Sequence, residues 1–309
     1  EIKDDSTKLV VIPEGHESEL KFKVKVKNKL GSGNLSLTAS SGNKSATYAL
    51  DASVRPASPY YSDVQFAIID KEKTEVPFDR KMYPELRVRN FSLSSSPLSL
   101  LKGFESYLAV YPYMCSEQLL SKAVPALFIS ANAKDLKKLQ TDYAQVLEIL
   151  RSRQTADGGF SLYPGGQNHL LVSIYALHYL TEARDRGLAV PDDLFKYTLE
   201  FVKNLKVENY TSISDLRLMA YALYLQTRNG IVPTNQISYL TTYLEQNFKK
   251  IWKKDDAAVF LAGIYKLVKQ NETGANLIKN MQIGEAVETD YGSFYDQTVR
   301  DAHLLMITA

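Results

Sequence analysis

The chain has 309 residues and a 45% hydrophobic composition, enough for two domains and a sizeable core. Its 37 basic and 35 acidic residues nearly cancel, so charge argues for neither nucleic acid nor a membrane surface as partner. No run of about 18 apolar residues occurs, so no transmembrane helix is expected, and the single cysteine permits no intrachain disulfide.

The opening, Glu1-Ile2-Lys3-Asp4-Asp5, does not have the pattern of a signal peptide. The end, His303 to Ala309, stops inside an apolar helical pattern. Both ends are expected to be cut edges of something longer. Residues 1–57 read as an antiparallel β-sandwich segment. Leu9 to Ile12 is a short apolar run, and Leu20 to Val26 alternates apolar residues with lysine. Leu35 to Ala39 and Ser45 to Leu50 continue the pattern. Lys21, Lys23 and Lys25 are expected to form a solvated face that also protects an edge strand, rather than a binding strip. Residues 58–95 read as an extended connector. Strand-like segments at Val64 to Ile69 and Glu85 to Arg89 are interrupted by Pro59, Pro77 and Pro84.

From residue 96 the pattern turns helical. Ser96 caps and Pro97 takes the first helical position, leading through Leu98 to Val110. A helix follows from Ser116. Further helices are expected over Asp135 to Arg153, Leu170 to Arg186, Asp192 to Leu205, Ser214 to Thr227, Gln236 to Phe248, Asp255 to Gln270, Ala275 to Met281 and from about Tyr295. Successive helix pairs with short, Gly-rich turns suggest an α/α toroid over 96–309, truncated at its C-terminal end.

The chemistry concentrates in Tyr111-Pro112-Tyr113-Met114-Cys115-Ser116-Glu117-Gln118. Pro112 and the tyrosines stop what precedes, and good helix formers follow. Positions i and i+3 share a helix face, so the Cys115 thiol and the Gln118 side-chain amide can meet. A thiol can displace ammonia from a glutamine side chain and leave an internal thioester, an acyl group held ready for an outside nucleophile. The plain alternative is a small buried hydrophobe, the usual fate of a lone cysteine. Glu and Gln at the second and third positions after one given cysteine occur by chance about once in 400. Glu117 is a candidate for positioning the reacting groups, or simply an acidic residue suited to a helix N-terminus. Tyr60, Tyr61, Tyr111 and Tyr113 are candidates for keeping water from the bond, or ordinary core and boundary aromatics.

No other chemistry competes strongly. His16, His169, His178 and His303 have no metal-ligand spacing to one another or to Cys115, so neither a metal nor a cofactor is expected. His178 and His303 read as helix residues, and His169, at a loop–helix junction, is the one histidine to consider near Cys115. Gly158-Gly159 is followed by no Gly-Lys-Ser/Thr, so it is not a phosphate loop. Sequons at Asn34, Asn43, Asn90, Asn209 and Asn271 are read as incidental.

Cys-x-Glu-Gln preceded by Tyr-Pro-Tyr resembles the thioester motif of the alpha-2-macroglobulin and complement superfamily, in its bacterial form. Val54-Arg55-Pro56-Ala57 resembles the end of the β-domain that precedes the thioester domain. Gly158-Gly159-Phe160-Ser161 resembles a turn between its helices. Asp290-Tyr291-Gly292-Ser293 with Arg300-Asp301-Ala302 resembles a later signature. The resemblance implies a CUB- or macroglobulin-like β segment followed by an α/α toroid. It implies an internal thioester of Cys115 and Gln118 with Tyr111, Tyr113 and Met114 as shielding candidates. It implies a broad-spectrum protease trap that captures its attacker once, through protease amines, and is not a turnover enzyme. Partners would be proteases and the macroglobulin domains of a parent chain, itself possibly membrane-anchored, in the periplasm, cell envelope or extracellular space. Complement-type members carry a histidine in a loop that matches residues 206–212 here. That loop has none, which implies amine-preferring chemistry. Met114 stands where the family usually has glycine, and would strain the turn if that position needs a positive φ. Two alternatives stay open: a non-reactive structural module with a free cysteine, and a helical toroid enzyme of the terpene-cyclase or prenyltransferase kind.

Overall fold

The computed structural model describes residues 2–309 other than 4, 28, 58, 62, 64, 66, 78–82, 92, 94, 96–106, 109, 130–132 and 250, with the backbone alone for 129 and 133–140. The chain divides into two compact units, residues 1–89 and 90–309.

In the first unit, β1 (Gly31–Ser41) and β2 (Lys44–Val54) form an antiparallel hairpin in register from Gly31 opposite Val54 to Ser41 opposite Lys44. Gly42, at φ 57, lets the two-residue link turn tightly. Leu35, Leu37 and Ala39 face Leu50, Tyr48 and Ala46 across the ladder. On the other face the Thr38 and Thr47 hydroxyls meet at 3.0 Å, and Asn34 donates to Asp51 at 2.9 Å. Among the described residues this two-stranded sheet is all there is, so the expected sandwich is corrected to a hairpin. Leu20 to Val26 alternates as a strand should, yet only an isolated bridge between Ile2 and Val24 forms. Alternation prepares a face but does not supply a partner edge. The connector is irregular apart from a 3-10 turn at Pro84–Leu86, where Pro84 sets the first φ. Val64 and Phe66 of its first strand-like segment lie outside the described residues, as does most of the helix expected from Ser96.

The second unit is helical: α1 (Ser116–Ala123), α2 (Ala126–Ile129), α3 (Ala133–Arg153), α4 (Leu170–Asp185), α5 (Asp192–Asn204), α6 (Ile213–Arg228), α7 (Thr234–Asn247), α8 (Asp256–Leu267), α9 (Asn271–Ile278) and α10 (Gln297–Thr308). Three of the starts have a side-chain cap. Ser212, Asp255 and Asp296 accept first-turn N–H groups of α6, α8 and α10, satisfying donors that have no partner inside the helix.

The burial pattern sorts the helices into two layers. In α6 every residue from Leu216 to Thr227 is buried, and in α8 every residue from Asp256 to Ile264. Helices apolar all round belong inside. By contrast α5 buries only Leu194, Phe195, Thr198 and Val202, and α7 only Ile237, Leu240 and Leu244, single stripes of a covering helix. The packing follows this division. Helix α1 packs on α4, α4 on α6 and α6 on α8, while α3, α5, α7 and α9 lie against that inner series. Gly274 is what allows α9 close to α8, because a Cβ there would sit 2.8 Å from the Ala262 carbonyl oxygen.

The turn between α3 and α4 is equally constrained. Gly158 has φ +90, and a Cβ on it would meet the Tyr197 carbonyl oxygen at 2.3 Å. Asp157 braces the turn by accepting from the Gly159 N–H at 3.2 Å and from Asn168. Replacing Gly158 by Ala therefore meets both a backbone penalty of about 1–2 kcal/mol and a steric clash. Denaturant unfolding of Gly158→Ala is expected to show a loss of at least that size, with an unchanged m-value; an unchanged midpoint would contradict the assignment.

Candidate functional site

The motif sits where α1 begins. Cys115 is the N-cap, with extended φ −64 and ψ 165, and Gln118 is the third helical residue. The two form a reciprocal capping box: the Cys115 side chain faces the Gln118 N–H, and the Gln118 Oε1 accepts the Cys115 N–H at 3.2 Å. A nucleophilic sulfur and an acyl carbon thus share one turn. Cys115 is 8% exposed, and Gln118 half-buried.

What fixes this turn is Ser116, which is fully buried. Its N–H donates to the Leu162 carbonyl at 3.0 Å, and its hydroxyl donates to the Ser161 carbonyl at 2.6 Å. Arg153, the last residue of α3, closes the arrangement from the other side. Its Nη2 donates to the Met114 carbonyl at 2.7 Å and its Nη1 to the Ser116 hydroxyl at 3.1 Å. Ser161 in turn binds the Arg153 carbonyl through its N–H at 3.0 Å. Burial lowers the affinity of the Arg153 guanidinium for its proton, an effect that Cys115 and Tyr163 counter.

The other candidates are placed as follows. The Glu117 carboxylate accepts from the Ser121 hydroxyl at 2.6 Å, one turn along α1. No hydrogen bond joins it to Cys115 or Gln118, and its charge lies in the first turn, where it suits the helix dipole. Tyr111 is half-buried and contacts Tyr107 and Tyr113 ring to ring at 5.7 and 5.6 Å. Tyr113 is 63% exposed and Met114 39%. Met114 is not among the non-glycine residues with positive φ, which among the described residues are Lys269 and Phe294, so the strained turn does not arise. Tyr60 and Tyr61 belong to the first unit and are exposed. His169 is the N-cap of α4, with a buried Nδ1 that lacks a hydrogen-bond partner, and no contact links it to Cys115. The loop over 206–212 holds a 3-10 turn at Val207–Asn209, tied down by the Gln236 side chain.

Sequence reasoning missed two features. One is Arg153, for which a lone arginine at a helix end gives no signal. The other is a cavity of about 680 Å³ that Glu117, Ser121, Tyr175, His178, Tyr221 and His303 help to line. Glu182 stands one turn beyond His178 and is held by Arg228, which also pairs with Asp185. Hydrogen bonds with His178 and Arg228 outweigh burial and lower the Glu182 pKa to about 2. The Arg228 guanidinium and the Glu182 carboxylate both lie close to His178 Nε2, at 3.4 and 3.3 Å. His303 binds Asp256 at 2.8 Å. The spacing of His178 and Glu182 was the only trace of this cluster in the sequence. No group of three or more metal-binding side chains occurs among the described residues. The later signature is structural: Asp290 caps the turn at Tyr291–Ser293, and buried Arg300 donates to the carbonyls of Gln282 and Glu285 at 3.0 and 2.9 Å.

No protein-family model matches the chain. Over 99% of its length it is 30% identical to the alpha-2-macroglobulin of Rickettsia conorii, covering 17% of that protein. Over 96% it is 29% identical to the alpha-2-macroglobulin homolog of Yersinia pestis, covering 15%. Native Escherichia coli alpha-2-macroglobulin from domain MG7 to the C-terminus has a similar fold, with TM-score 0.56 and 19% identity over 67% of this chain and 35% of that one. The full E. coli protein in its native conformation gives 0.56 and 18% over 99% and 21%. Salmonella alpha-2-macroglobulin reacted with methylamine gives 0.54 and 19% over 88% and 19%. The chain is a homologue of the alpha-2-macroglobulins. More particularly, it corresponds to part of the bacterial alpha-2-macroglobulins, and it spans about a sixth of the length of the curated relatives it matches.

Burial lowers the pKa of both His169 and His178, for His178 against the pull of Glu182. A histidine that resists protonation when folded adds stability above its unfolded pKa of about 6.5, and that stability is lost as pH falls. The unfolding free energy is therefore expected to drop between pH 7.5 and 5.5, by up to about 1.4 kcal/mol per pH unit for each histidine. His169→Gln should flatten that slope in denaturant titrations; an unaltered slope would contradict the assignment.

Proposed function

We propose that the second unit is a thioester domain of α/α-toroid type, in which Cys115 and Gln118 join through a thioester that serves a protease trap. The observation that carries the reading is the buried capping box of Cys115 and Gln118 in a chain homologous to bacterial alpha-2-macroglobulins. Serial packing of α1, α4, α6 and α8 inside α3, α5, α7 and α9 supports the toroid. A relative that reacts with methylamine and one activated by porcine elastase support covalent capture by amines and proteases as partners.

The mechanism runs in two stages. In the first, the Cys115 thiol attacks the Gln118 carboxamide carbon and ammonia leaves. In the second, an amine of an attacking protease adds to the same carbon, the carbon–sulfur bond breaks, and Cys115 is released as a thiol. Each molecule reacts once, so the protein is an inhibitor and not a turnover enzyme. The histidine-free loop at 206–212 favours amines over hydroxyls. Burial around Cys115 would exclude water until the site opens. Action in the periplasm or cell envelope belongs to the same proposal.

Burial serves a permanently free thiol equally well, so exposure cannot decide between a reactive and a silent site. Methylamine uptake can. The native chain is expected to take up one methylamine at residue 118 and to release one thiol, with no ester formed in excess glycerol. Cys115→Ala and Gln118→Ala should each abolish uptake. A folded wild-type chain that takes up no methylamine while its thiol stays free would establish the silent reading instead.

A further inference from the structure

We propose that Arg153 is the electrostatic partner of the Cys115 sulfur, its guanidinium balancing the negative charge on that atom when the bond to Gln118 forms or opens. The inference rests on the thioester reading and names the group that supports its leaving atom.

Arg153 hydrogen-bonds the Met114 carbonyl and the Ser116 hydroxyl, so its guanidinium spans the residues on either side of Cys115. Arg153 is itself only 8% exposed. Its Nε is buried and has no hydrogen-bond partner. An arginine cannot shed its charge, and a buried charge without a counter-ion is costly. The other two buried arginines follow that rule: Arg217 pairs with Asp255 and Arg300 with Asp301. Among the described residues Arg153 has no carboxylate partner. It is a cation stored beside a sulfur that is neutral in the thioester and anionic at the moment of release.

The charge balance explains the placement. When an amine attacks, its lone pair forms the new bond to the acyl carbon of residue 118. The carbon–sulfur bond breaks, its electron pair stays on Cys115 Sγ, and the proton of the amine passes to solvent. The products are an amide and a thiolate. Bond formation uses the same charge in reverse: the thiolate attacks the carboxamide and ammonia departs with a proton from solvent. Arg153 acts as a positioning residue through its charge in both directions.

The test measures that charge at the sulfur. Cys115 in the opened chain is alkylated in parallel with iodoacetate, an anion, and iodoacetamide, which is neutral and of similar size. The ratio of the two rates reports the local potential and is insensitive to how far the site is exposed. Arg153→Gln is expected to lower the ratio about five- to tenfold, and Arg153→Lys to keep most of it. Methylamine opening should slow in Arg153→Gln and recover in Arg153→Lys. Should Arg153→Gln fail to fold, the wild-type ratio in the folded chain is compared with that of the same chain in urea. A folded ratio several-fold above the unfolded one supports the proposal, and equal ratios overturn it. Equal ratios in wild type and Arg153→Gln overturn it as well. Failure to take up methylamine would sink the thioester reading yet leave the ratio measurement intact, so the two failures are told apart.

Discussion

The site depends on one buried serine. Ser116 uses both its backbone N–H and its hydroxyl on the carbonyls of Leu162 and Ser161. Those carbonyls belong to the turn that follows α3, so the start of α1 cannot move without breaking buried hydrogen bonds, each expensive to leave unmade. Arg153 makes the constraint two-sided by holding the Met114 carbonyl as well. Everything proposed for Cys115 and Gln118 follows from this anchoring, because a helix N-terminus that frayed could neither exclude water nor hold a sulfur against an acyl carbon.

Stability around this point is built from layers. Helices α6 and α8 are buried on every side over most of their length, and the outer α5 and α7 present a single stripe to the core. Two glycines set the closest approaches to backbone carbonyls, Gly158 under the Tyr197 carbonyl and Gly274 under that of Ala262. The other buried arginines enter the interior paired with carboxylates, Arg217 with Asp255 and Arg300 with Asp301. Arg153 stands apart from that pattern, which is why its position beside Cys115 carries meaning.

Much of this was legible in the residues. Helical periodicity located α3 to α10 to within a few residues, because long amphipathic or wholly apolar runs leave few other ways to bury their surface. The spacing of Cys115 and Gln118 placed both on one turn before any coordinates. The β segment was less legible. Strand alternation at Leu20 to Val26 says which face is apolar but not which edge it pairs with, and only β1 and β2, joined by a two-residue turn, found each other. Glu117 turned to Ser121 and not to the reacting pair, a choice of rotamer that no sequence pattern encodes. Arg153 was invisible for a different reason: its role comes from hydrogen bonds to Met114 and Ser116, 39 and 37 residues back along the chain, set by tertiary packing alone.

The claim at the centre of this account is that Cys115 and Gln118 are chemically joined in the folded chain. Tandem mass spectrometry of a peptide carrying both residues, from protein alkylated before digestion, tests it most directly. The account predicts a peptide short by one ammonia with Cys115 unalkylated, or, after hydrolysis, Gln118 read as glutamate beside a free Cys115. A peptide of full mass, with Gln118 intact and Cys115 alkylated in the native chain, would contradict it.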